Sequence, residues 1–151
     1  MKRSLLVEAD GGPLAVVVAP ANVHDTKLLE RTLEAVIVKR PRPTRDRPQH
    51  LCLDKGYDNP TGHQAALAQH YTPHIRRIGE EKLDAAKRTA KRNTTRRRYP
   101  ARRWVVERTL AWLSKCRAVL VRYDKKSCNY LGLLKLACAL LWFRRLQRLA
   151  A

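Results

Sequence analysis

What this chain can fold into is set first by residues 4–22, SLLVEADGGPLAVVVAPAN. Leu5–Glu8 and Leu14–Ala19 are apolar runs of strand length, and Gly11-Gly12 between them is a hairpin signal. Pro20 and Asn22 end the second run. The period then changes. In VHDTKLLERTLEAVIV, Leu28, Leu29, Leu33 and Val36-Ile37 recur at helical spacing, with His24 or Asp25 at the start. A proline-rich loop, KRPRPTRDRP, leads to a short strand, His50–Leu53. NPTGHQAALAQH reads as an alanine-rich helix capped by Asn59 or Thr61, and YTPHIRRI as a further strand, where Pro73 suits an edge or a strand start.

From Gly79 to Tyr99 this order stops. KRTAKRNTTRRR, residues 87–98, is dense in positive charge and nearly free of apolar residues. It reads as a solvated loop, as a phosphate-backbone contact, or as both. PARRWVVERTLAWLSKCRAVLV restores a helix, and Pro100 suits its first turn. Val105, Val106, Thr109, Leu110, Trp112, Leu113 and Cys116 share a face, with Arg103, Glu107 and Ser114 at its border. Trp104 and Trp112 read as core residues rather than base-stacking ones. The last helix, about Tyr130 to Gln147, is apolar nearly all round in its first part and is expected to be buried. The order β-β-α-β-α-β-α-α points to an α/β layered domain.

The charge balance speaks to partners. Lys and Arg number 32 against 13 Asp and Glu, for a net charge of +19. Nucleic acid is the first expectation and an anionic membrane surface the second. A membrane span is disfavoured, because YLGLLKLACALLWF (130–143) is too short and carries Lys135. Cys52, Cys116, Cys128 and Cys138 form no CxxC pair, which argues against structural zinc or a disulfide framework and suits a reducing cytoplasm.

In so basic a chain the carboxylates are informative. Asp54 ends the apolar strand in LCLDKGYDNP, and Glu107 lies in a helix among Trp104, Val105, Val106 and Leu110. Each has a plain structural reading: Asp54 as a turn cap, Glu107 as half of an i,i+4 pair with Arg103. Taken together, carboxylates at a strand end and on a helix suit metal-assisted phosphodiester chemistry, which gathers several such ligands at one point. Two are fewer than that chemistry ordinarily uses.

Five stretches carry a resemblance that covers nearly the whole chain. They are PLAVVVAPANVHDTKLLE (13–30), HLCLDKGYDNP (50–60), PHIRRIGEEK (73–82), RRWVVERTLAWLSKCRAVLVRYDKK (102–126) and NYLGLLKLACALLWFRRL (129–146). The sequence resembles DDE transposases of bacterial insertion sequences, in the group called insertion sequence family five, close to family four. The resemblance implies a ribonuclease H-like mixed sheet with flanking helices, in which three carboxylates hold two magnesium or manganese ions. By motif match Asp54 is the second carboxylate and Glu107 the third. Arg103 matches the arginine of the signature around the glutamate; Tyr99 and Lys115 match it only approximately. The first aspartate has no match, because Asp10 sits at the hairpin turn.

The resemblance therefore implies a partial catalytic domain over residues 1–151, lacking its first strand, with a basic loop at 82–99. It implies DNA binding through Arg96, Arg97, Arg98, Arg102, Arg103, Lys115, Arg117, Lys125 and Lys126, and strand cleavage and transfer at insertion-sequence ends in the full-length protein. DNA, a second copy in a synaptic complex and an upstream half of the transposase are the implied partners, in the nucleoid-associated cytoplasm. The competing expectation is a catalytically dead remnant that binds DNA without sequence preference, and the charge supports that equally well.

Overall fold

The computed structural model describes residues 1–75 and 103–150, with the backbone alone for Arg103. The basic stretch Lys87–Arg98, together with Tyr99 and Arg102, lies outside the described residues. The chain divides into two compact units, one formed by residues 1–41 with 104–151 and the other by residues 42–103.

The first unit is built on the expected hairpin. Strand β1 (Lys2–Val7) pairs antiparallel with β2 (Pro13–Ala19). The register slips between Leu6, opposite Ala15, and Val7, opposite Pro13, so Leu14 is the extra residue of a bulge. Gly11 holds φ +95 in the turn, a conformation that L side chains rarely adopt, which is why glycine stands there. Both faces of the hairpin are covered. On one, Thr32 of helix α1 (Asp25–Glu34) donates its hydroxyl to Ser4 at 2.7 Å. On the other, Val16, with Leu5 and Val18 beside it, packs into a cluster of Leu113, Val119, Tyr130, Leu134 and Ala137. Double coverage explains why β2 reads PLAVVVA, apolar almost throughout, and does not alternate.

Helix α1 starts as expected, with the His24 ring accepting from the Thr26 amide at 3.4 Å. It stops at Glu34, so Ile37 and Val38 do not extend its buried face; both are exposed. Helices α3 (Arg103–Ser114), α4 (Arg117–Leu120) and α5 (Ser127–Ala150) complete the unit. Three expectations are corrected here. Trp104 and Trp112 are 57% and 37% exposed, so neither is a core residue. The buried stripe of α3 is narrower, Val105, Thr109 and Leu113 at i, i+4 and i+8. The final helix is likewise buried on one face only, through Tyr130, Leu134 and Ala137, while Leu136, Leu140 and Phe143 face outward. No helix among the described residues is long and apolar enough to cross a membrane.

Leu134 has no exposed surface and sits at the centre of the cluster. Leu134→Ala is expected to lower unfolding free energy by about 2–5 kcal/mol, the lost transfer energy plus the cavity left behind. Denaturant unfolding with an unchanged slope checks this.

In the second unit, β3 (His50–Leu53) pairs in parallel with β4 (Thr72–Ile75). A parallel pair needs a crossover, and α2 (Pro60–Ala68) supplies it. The Asn59 side chain caps α2 by accepting the Gly62 amide at 2.8 Å. A Cβ on Gly62 would lie 2.3 Å from the Tyr57 carbonyl oxygen, so glycine is required at this helix start. At the other end His70 takes φ 58, and the Tyr71 amide reaches back to Ala66 at 2.9 Å, closing the helix with the bond pattern glycine ordinarily provides. Across the described residues the architecture is mixed α/β, as the element order predicts.

Candidate functional site

Asp54 stands at the C-terminal end of β3, a parallel strand whose Leu51 is buried. It is exposed, and its Oδ1 accepts the Lys55 amide at 2.8 Å, capping a 3-10 turn over Lys55–Tyr57. The plain reading of Asp54 as a turn cap is thus true of one oxygen, and its place at a parallel strand end also suits a ligand-binding role. Gly56 does not create the turn. It has an ordinary φ, and a Cβ there would meet nothing within 4 Å. Downstream, Asp58 pairs with His63 at 3.2 Å, a local contact between the turn and α2.

Sequence spacing did not single out the pair His50 and His74. They sit side by side on β3 and β4, Nδ1 to Nε2 at 2.6 Å, with ring centroids 4.7 Å apart. Only strand pairing reveals them, since they are 24 residues apart. Burial lowers the His74 pKa from its usual 6.5, and the His50 charge lowers it further. Below about 6.5 the unfolded chain therefore binds more protons than the folded one, so stability falls as pH drops from there through the folded value. Thermal unfolding between roughly pH 7.5 and 5 is expected to show this loss, and His50→Gln to reduce it, because one of the two charges is gone.

Glu107 lies on α3, in the first unit, on the exposed side of the helix and away from Val105, Thr109 and Leu113. The opposite side anchors α3 to the hairpin turn. The Thr109 hydroxyl donates to the Gly11 carbonyl at 2.8 Å, and Arg108 Nη2 to the Asp10 carbonyl at 2.7 Å. The Arg108 guanidinium stacks between Trp104 and Trp112, at 4.7 and 5.0 Å from the ring centroids. A hairpin fixed to the helix in this way sets the rotation of α3, and with it the direction Glu107 faces.

Asp10 belongs to a second network that the sequence does not signal. Arg145 of α5 pairs with Glu8 and reaches Asp10 at 3.2 Å, while Trp142 Nε1 donates to the Pro13 carbonyl at 2.7 Å. Partial burial pushes the Glu8 carboxyl up, but the Gly12 amide and the Arg145 guanidinium outweigh it and hold the group below its ordinary value. Asp10 is engaged as a turn residue, as its position beside Gly11-Gly12 suggests. Partners more than 130 residues apart leave no periodic trace in a sequence.

Of the residues expected on DNA, Lys115, Arg117, Lys125 and Lys126 are exposed. Arg122 instead clamps its own loop, donating to the carbonyls of Asp124 and Lys125. Arg96, Arg97, Arg98 and Arg102 fall outside the described residues, and Arg103 opens α3 one turn before Glu107.

Carboxylates are hard oxygen donors of the kind magnesium or manganese takes. Among the described residues, however, no group of three or more His, Cys, Asp or Glu side chains could hold a metal ion. Asp54 and Glu107 supply the donor type without the full donor set.

The described residues thus give a mixed α/β chain with one carboxylate at the end of a parallel strand and a second on the exposed side of a helix. The family follows from comparison: residues 1–142 match the model of the transposase DDE domain, and the chain belongs to that family. A putative transposase for insertion sequence element IS402 from Burkholderia cepacia is 31% identical over 150 residues, 97% of this chain and 64% of that protein. The chain thus spans a little under two thirds of the length of this curated relative. No solved structure matches. The resemblance to DDE transposases of insertion sequences, drawn from five motifs, is borne out.

Proposed function

We propose that residues 1–151 form part of a ribonuclease H-like catalytic domain of an insertion-sequence transposase, acting in DNA transposition. Asp54 and Glu107 are two of its three metal-binding carboxylates. The observation that carries the reading is the position of Asp54, at the C-terminal end of a parallel strand and within HLCLDKGYDNP. Such strand ends are where α/β sheets present their ligands. When bound, divalent metal would stabilise charge on the phosphoryl oxygens during strand cleavage and transfer. Lys115, Arg117, Lys125 and Lys126, with Arg96, Arg97, Arg98, Arg102 and Arg103, bind the DNA backbone.

The third carboxylate comes from a strand outside residues 1–151. Among the described residues β1 pairs only with β2, so its other edge can accept backbone hydrogen bonds from an added strand.

The test is strand cleavage by the purified chain on insertion-sequence end DNA with magnesium. Binding to duplex DNA without sequence preference, and no cleavage, is the expected result. Robust metal-dependent cleavage by the chain alone would overturn the need for an outside carboxylate. Absence of any DNA binding would overturn the assignment of the basic residues.

A further inference from the structure

Helix α5 is apolar on two opposite faces, and the fold uses one of them. Tyr130, Leu134 and Ala137 point into the core. On the far side, Leu136, Leu140, Phe143 and Leu146 are each between 46% and 60% exposed. Four large apolar side chains in a row on one helix face form a contiguous patch, which marks an interaction surface rather than scattered surface leucines. Their order is regular. Gly132, Leu136, Ala139, Phe143, Leu146 and Ala150 recur at alternating spacings of four and three, the seam pattern of paired helices. Gly132 has open space where a Cβ would stand, so nothing among the described residues fills the start of the seam.

We propose that this seam pairs with the same seam of a second copy of the chain, antiparallel, about a two-fold axis level with Leu141. The size order of the residues chooses both the partner and the direction. In that register Phe143 of one copy lies over Ala139 of the other, Leu136 meets Leu146, and Gly132 meets Ala150. Each large side chain in the middle of the seam faces a small one, and the two-fold repeats the fit, as an isologous interface requires. A parallel pair would set Phe143 on Phe143 and Ala139 on Ala139, alternating overpacked and empty layers.

Charge agrees with the antiparallel choice. Helix α5 contains no carboxylate, and its cations are Lys135, Arg144, Arg145 and Arg148. Side-by-side parallel helices would place the two arginine clusters at the same level. Antiparallel helices offset the two arginine clusters by about ten residues, roughly 15 Å of helix axis, which exceeds the screening length of about 8 Å at physiological salt, and set each cluster level with the single Lys135 of the other copy instead of with a second cluster. A single pair of helices lies at the low end of stable interface areas, so the dimer is concentration-dependent. The inference rests on the outward face of α5 and not on the assignment of Asp54 and Glu107, and each stands or falls alone.

The test is the mass of the purified, nucleic-acid-free chain by sedimentation equilibrium over a concentration series at high salt. The apparent mass is expected to rise twofold from the 17.4 kDa of one chain. Phe143→Glu is expected to keep it at one chain, and Leu67→Glu, an exposed apolar position in the other unit, to leave the dimer intact. Direction is read by oxidative cross-linking in a Cys52→Ser, Cys128→Ser background. Leu136→Cys with Leu146→Cys in one chain should give covalent dimers, and either change alone should not. A chain that stays monomeric throughout, or a dimer that survives Phe143→Glu, overturns the interface. Cross-linking by Leu136→Cys alone overturns the antiparallel register.

Discussion

Binding of this chain to duplex DNA is expected to collapse with added salt. Nine cations are assigned to the phosphate backbone, and if all engage, the log of the binding constant falls against log salt with a slope of about −8. Contacts in that range cost about 10³–10⁵ in affinity between about 50 and 200 mM salt. The loss is entropic. Each phosphate neutralised by a lysine or arginine releases a condensed counterion, and that release is worth less as bulk salt rises. Replacing Arg96, Arg97 and Arg98 together by alanine should reduce the slope by about 3 and weaken binding alike on all sequences. Fluorescence anisotropy on two unrelated duplexes measures both quantities. An unchanged slope in the triple variant would remove these arginines from the interface, and a strong preference for one duplex would show base reading that phosphate contacts cannot provide.

The second large effect concerns Asp54 and Glu107 in the complete transposase. Asp54→Asn and Glu107→Gln should each reduce strand cleavage by roughly a hundredfold or more, since loss of groups that merely support a metal ligand already costs about 10–100-fold. The substitutions are chosen to isolate chemistry from folding. Asparagine at position 54 keeps the oxygen that caps the Lys55 amide, so the 3-10 turn survives. Glu107 is exposed, and its replacement should alter stability by no more than about 0.5 kcal/mol. DNA affinity should therefore hold while cleavage falls. Asp10→Asn is the contrasting change: Asp10 meets Arg145 at the hairpin turn, and cleavage should persist. Cleavage at wild-type rate by either the Asp54 or the Glu107 variant would remove that residue from the site.

The two carboxylates differed in how far sequence could take them. Asp54 was legible because a strand end and a turn are local events, written in LCLDKGYDNP itself. That it caps its turn and also ends a parallel strand required the pairing of β3 with β4, a contact across 18 intervening residues. Glu107 was legible as a helical carboxylate, but its helical rotation was not. The sequence placed Trp104 and Trp112 inward by hydrophobicity, whereas the structure turns them to the surface around Arg108. Tryptophan is apolar enough to read as core and amphipathic enough to cover an arginine, and periodicity does not separate the two uses.

Helix α5 shows the same limit on a larger scale. Apolar residues nearly all round the first part of the helix led to an expectation of burial, and the fold buries one face. A hydrophobicity pattern records that a face needs a partner; it does not record whether the partner lies in the same chain.

The sequence by itself determined the strands and the main helices in their order, the hairpin turn, the neighbourhood of the helix caps and the family, though not the break that sets α4 apart from α3. These depend on residues close in the chain or on motifs read as strings. Tertiary structure alone decided the His50–His74 pair, the Arg145 bridge to Glu8 and Asp10, the rotation of α3 and the outward seam of α5. Each of those depends on which surfaces meet after the chain has closed on itself. The energy of such meetings belongs to pairs of distant residues, and no local pattern in either partner encodes it.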